Sequence, residues 1–186
     1  MAVVEEIVEG EDEQMQQVEN LKKEGNRLFG EGKYEEAREK YKEAFDACPP
    51  TSPELQSILL SNTAAALIKL SEWKDAVEAA TKAIELGAPN EKALERRAFA
   101  YSNIPEKLED AMEDYKKLQE TVPKRNAEFA RKVSELDAKI NSRNEAMKAD
   151  MMEKLKSQIG CFRKFSEKNR PKKKTATYRN PSSNCP

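Results

Sequence analysis

VENLKKEGNRLFGEGKYEEAREKYKEAFDACPP, residues 18–50, sets a pattern that returns as SILLSNTAAALIKLSEWKDAVEAATKAIELGAPN at 57–90 and as EKALERRAFAYSNIPEKLEDAMEDYKKLQETVP at 91–123. The segments fall into one register of roughly 34 residues, and a fixed period of that length marks a stack of small supersecondary units. Each copy reads as a helix, a tight turn and a second helix. The expectation is an all-α chain with a repeat domain at 17–123, divided at 18–51, 57–90 and 91–123.

The shared skeleton is physical. Gly25, Ala64 and Ala98 stand where the first helix of each repeat meets the second closely, and Ala37, Ala76 and Ala111 answer them from the second helix. Tyr34, Trp73 and Leu108 open the second helices, with Tyr41, Ala80 and Tyr115 seven residues, about two turns, later, a spacing that builds a packed seam. These aromatics read as core. Pro49, Pro89 and Pro123 end the second helices, since proline cannot continue one and biases its predecessor out of the helical region. About five extra residues, within Thr51 to Gln56, separate the first two repeats, and one extra residue falls around Ile104 to Lys107; insertions belong in turns.

Charged residues make up 36% of the chain and no apolar run approaches the roughly 20 residues needed to cross a membrane, so membrane insertion is not expected. The start has no basic, apolar leader pattern. Cys48, Cys161 and Cys185 are odd in number and widely spaced, which fits a reducing compartment and a cytoplasmic location rather than a disulfide framework. A net charge of -1 conceals opposite ends: 1–16 is acidic and 160–186 basic, and both read as disordered tails with too little apolar surface to offset the entropy of ordering.

Catalysis has little to stand on. The sequence contains no histidine, the commonest general base and metal ligand. No phosphate loop, nucleophile elbow or paired-cysteine spacing occurs. The carboxylates read as exposed helix-face residues beside lysines, as in Glu109, Glu113 and Lys117. No enzyme, catalytic residue, metal, cofactor or small-molecule substrate is therefore expected.

Function must come from a surface. Stacked helix pairs form a right-handed superhelix whose concave face is lined by the first helix of every repeat. Those helices carry Lys22 and Asn26 four apart, then Asn62, then Lys92 and Arg96 four apart, and a spacing of four places each pair on one helical face. Three cations and two amides facing a groove make an anion site. Asparagine donates to a carboxylate while accepting from a peptide N–H, so the mixture suits a peptide terminus better than bare phosphate. A C-terminal carboxylate with a neighbouring acidic side chain would satisfy all five groups.

With its segments LKKEGNRLF and LLSNTAAALIKL, the chain resembles the tetratricopeptide repeat (TPR) co-chaperones, over about residues 18 to 158. Lys22, Asn26, Asn62, Lys92 and Arg96 match that family's two-carboxylate clamp, which implies binding to the Glu-Glu-Val-Asp ends of Hsp70 and Hsp90 without choosing between them. Lys69 matches a further basic groove position, and Phe29 and Ala65 match places that receive the peptide's apolar side chains. Thr63 departs from the arginine of many clamp proteins, and Glu95 puts a negative charge beside Arg96 that weakens anion binding if it turns toward the groove. The resemblance also leaves open a scaffold for signalling proteins, with small or heterotrimeric G proteins as partners.

A long helix is expected at 124–159. Phe129, Val133, Leu136 and Ile140 recur at helical spacing and cap the exposed edge of the third repeat, while Met147, Met151, Leu155 and Ile159 continue a similar face. That distal stripe leaves a projecting, self-associating or partner-docking helix open. RPKKK at 170–174 would serve nuclear import or nucleic-acid contact, though five residues without a folded reader make nucleic acid an unexpected partner.

Overall fold

The computed structural model describes the backbone of residues 2–87 and 90–168, and the side chains of 13–87 and 90–160. Seven α-helices follow one another among these: α1 (Ala2–Gly30), α2 (Tyr34–Ala47), α3 (Pro53–Lys69), α4 (Trp73–Glu85), α5 (Glu91–Tyr101), α6 (Leu108–Thr121) and α7 (Asn126–Lys168). Short 3-10 turns, Pro105–Lys107 and Pro123–Arg125, precede α6 and α7. Each of the first five helices packs on the next, and α3 also packs directly on α5. This is the all-α TPR helical-repeat arrangement expected from the period.

The small-residue skeleton holds. Ala37, Ala64, Ala76, Ala98 and Ala111 are fully buried. At Gly25 a Cβ would lie 2.6 Å from Cε1 of Tyr41, so glycine there is required by the ring that packs on it. Tyr41, Leu108 and Tyr115 are buried, whereas Tyr34 and Trp73 are half-buried at the helix starts and meet Phe29 and Phe99 edge-on, at 5.2 and 6.3 Å between ring centroids.

The turns inside repeats one and two share one geometry. Lys33 N–H donates to Leu28 O at 3.0 Å across Gly32, and Glu72 N–H donates to Leu67 O at 3.0 Å across Ser71. Both central residues have positive φ, +81° at Gly32 and 62° at Ser71, a conformation that costs a non-glycine residue roughly 1–2 kcal/mol. The third repeat avoids it by spending its extra residue on the 3-10 turn Pro105–Lys107.

Several boundaries differ from expectation. The insertion between repeats one and two does not stay in the turn: Pro53 to Gln56 form an added first turn of α3, entered by a proline at the position where its missing N–H is harmless. α4 stops at Glu85 because Gly87, at φ +73°, closes the helix through its N–H to Ile84 O at 3.1 Å; the expected stop, Pro89, lies outside the described residues. The acidic start, expected to be disordered over 1–16, is helical from Ala2. Glutamates near a helix N-terminus complement its dipole, so charge there does not oppose the helix.

Two compact units divide between Ser142 and Arg143, within α7. In the first, Phe129, Leu136 and Ile140 are buried with Ala98, Leu108, Ala111, Tyr115 and Leu118, with Val133 packed against them. The early turns of α7 thus cover the edge of the third repeat. In the second, Met147, Met151, Met152, Leu155 and Ile159 are exposed. The helix runs past the expected end at 159 to Lys168, so 160–168 is not the disordered tail expected; the rest of that tail lies outside the described residues. Among the described residues no helix is long and apolar enough to cross a membrane.

Candidate functional site

The five residues singled out as an anion site come together. Lys22 and Asn26 of α1, Asn62 of α3, and Lys92 and Arg96 of α5 line one pocket of about 320 Å³, completed by Ile58, Ser61 and Asn90. Phe29, Ala65 and Lys69 line a second cavity of about 510 Å³, to which Lys92 and Arg96 also belong. Ile68, Phe99, Tyr115 and Phe129 give this cavity its apolar walls, and Glu95, Glu128 and Lys132 bring further charge. All eight sequence-predicted residues are thus divided between two pockets that share Lys92 and Arg96.

Two of the polar groups, Asn26 and Arg96, are held by partners that sequence reasoning missed. Tyr41 donates its hydroxyl to Asn26 Oδ1 at 2.8 Å. With its oxygen engaged, Asn26 is left with its amide N–H groups to donate. Burial pushes the Tyr41 hydroxyl up from its ordinary pKa, which keeps it a donor. Arg96 donates through Nη1 to Ser61 Oγ at 2.5 Å and to Asn62 Oδ1 at 3.3 Å. Burial pulls the Arg96 guanidinium below its usual pKa, the cost of removing a cation from water, and these neutral acceptors hold its orientation without cancelling its charge.

Ser57 and Ser61, one turn apart and both buried, form a polar ladder within α3. Ser57 donates to Ala83 O at 2.7 Å and accepts from Asn90 Nδ2 at 3.0 Å. Asn90 also caps α5, its Oδ1 accepting from Ala93 N–H at 3.0 Å. One serine thus fixes the start of α5 and the other its Arg96. The findable signal was a pair of serines at a spacing of four, on one face of the helix that carries Asn62.

Other charges resolve differently. Lys22 pairs with Glu19 at 2.5 Å. Glu95 meets Arg125 through two bonds of 2.7 Å. Thr63 donates its hydroxyl to Leu59 O at 3.0 Å within its own helix. Arg97, next to Arg96 in sequence, points elsewhere: it clamps the buried Asp114 through two bonds of 2.8 Å and ties α5 to α6.

Stacked helix pairs with a pocket lined by Lys22, Lys92 and Arg96 on their first helices define a helical-repeat protein with a cation-lined groove. No family model matches the chain. The first TPR of Spaghetti (RPAP3), solved bound to the HSP90 peptide SRMEEVD, is 31% identical; the match covers 68% of this chain and 97% of that one, with a TM-score of 0.59. The second TPR domain of human RPAP3, solved with the HSP70 peptide SGPTIEEVD, is 29% identical over 67% of this chain and 98% of that one, TM-score 0.59. Mitochondrial import receptor subunit TOM70 of Rattus norvegicus is 41% identical over 88 residues, 47% of this chain; the match spans only 14% of that relative's length. The chain belongs to the tetratricopeptide repeat family.

Proposed function

We propose that the chain is a non-catalytic adaptor, a co-chaperone, that binds the free C-terminal Glu-Glu-Val-Asp end of Hsp70 or Hsp90 in the groove of its first helices. Lys22, Asn26, Asn62, Lys92 and Arg96 hold the terminal carboxylate and the neighbouring acidic side chain. Phe29, Ala65 and Lys69 receive the residues before them. The observation that carries this reading is the convergence of five predicted residues from three helices on one pocket. The two solved relatives bound to peptides of this ending support it. The cytoplasm, read from the odd and widely spaced cysteines, is the compartment proposed for the encounter.

Charge-assisted hydrogen bonds contribute roughly 1.5–3 kcal/mol each, and after the ordering costs of a short peptide several of them support a dissociation constant of about micromolar. Calorimetric titration with the heptapeptide SRMEEVD is the test. Native chain is expected to bind at that level, and Arg96→Ala to lose tenfold or more, roughly the 1.4 kcal/mol that one such bond exceeds. Equal affinity of the two would contradict the assignment.

A further inference from the structure

The larger cavity contains a feature unfavourable to its proposed occupant. Its walls carry Lys69, Lys92, Arg96 and Lys132, but also the carboxylates of Glu95 and Glu128. Glu95 directly precedes Arg96, where a free carboxylate would repel an acidic peptide. It is not free. Arg125, in the 3-10 turn Pro123–Arg125, donates Nη1 and Nη2 to the two oxygens of Glu95, each at 2.7 Å. The same guanidinium donates Nε and Nη2 to Glu128 at 2.9 and 3.0 Å, and its centre lies 4.8 Å from the Phe129 ring centroid. One cation outside the cavity lining thus occupies both carboxylates inside it.

We propose that Arg125 is a positioning residue of the groove: by holding Glu95, and with it Glu128, it neutralises their charge and keeps the cavity beside Arg96 receptive to an acidic peptide. The inference rests on the peptide-binding reading above and adds a residue that touches no peptide. The ion pairs are partly exposed, a setting in which such pairs contribute little to stability. Their consequence is therefore in the potential that an incoming anion meets rather than in the fold.

The test is calorimetric titration of SRMEEVD into native chain, Arg125→Ala, Glu95→Gln and the double variant, at low and at physiological salt, with helicity checked by circular dichroism. Arg125→Ala is expected to weaken binding about fivefold, more at low salt because the repulsion is then less screened. Glu95→Gln alone is expected to bind at least as tightly as native, since it removes a carboxylate from the cavity wall, and the double variant to recover most of the Arg125→Ala loss, with only Glu128 left unheld. Native affinity in Arg125→Ala would overturn the inference. So would a double variant as weak as Arg125→Ala, which would make Arg125 a support for the start of α7 instead. If the native chain itself does not bind, the clamp reading falls and takes this inference with it; binding with an indifferent Arg125 sinks the inference alone.

Discussion

Asn26 carries an amide that could meet a ligand either way round, and the Tyr41 hydroxyl decides the matter by donating to its oxygen. Tyr41→Phe keeps the packing and removes that bond, worth about 0.5–1.5 kcal/mol. Peptide affinity should fall roughly two- to tenfold by calorimetry. An unchanged constant would mean that Asn26 is oriented by other means. Gly25 belongs to the same arrangement. Replacing a helical glycine by alanine ordinarily stabilises by up to about 1 kcal/mol. Here the new Cβ would fall 2.6 Å from the Tyr41 ring, and overpacking of that kind costs about 1–3 kcal/mol. Gly25→Ala should therefore lower the melting temperature and weaken binding together, because the displaced ring carries the hydroxyl that orients Asn26. A rise in melting temperature would contradict the packing account.

At the scale of helices, the period was sufficient to place six of the seven, because small residues at contact positions and apolar residues at helical spacing are requirements of packing. The ends were less legible. Acidic composition at the start suggested disorder, yet glutamates suit a helix N-terminus, and α1 begins at Ala2. Gly160 did not end α7, since a lone helical glycine costs only about 1 kcal/mol. The partners of the site were illegible for a different reason: Ser61 with Arg96 and Glu95 with Arg125 lie 35 and 30 residues apart, and neither residue type announces its partner. The cap offers the clearest test of an element. Phe129 is 1% exposed within the core cluster of the third repeat. Phe129→Ala should cost about 3–5 kcal/mol in chemical denaturation. A loss below 1 kcal/mol would mean that α7 is dispensable as a cover.

Across the whole molecule, acidic and basic residues nearly balance, at a net charge of -1, while Lys22, Lys69, Lys92 and Arg96 bring cations from α1, α3 and α5 to the two pockets. With no histidine in the sequence, protein groups give no reason for affinity to change between about pH 6 and 8. Arg96, although lowered by burial, stays charged there. Below about pH 4.5 the ligand's own carboxylates take up protons and affinity should fall. A titration midpoint near neutrality would point to a different ligand group. The clamp needs a free carboxyl terminus, because amidation removes its charge and replaces one acceptor oxygen with a donor. The most direct measurement compares SRMEEVD as the free acid with the same peptide amidated at its C-terminus, by calorimetry at fixed salt. Binding at about micromolar is expected for the acid and a loss of tenfold or more for the amide. Equal affinities would contradict the clamp.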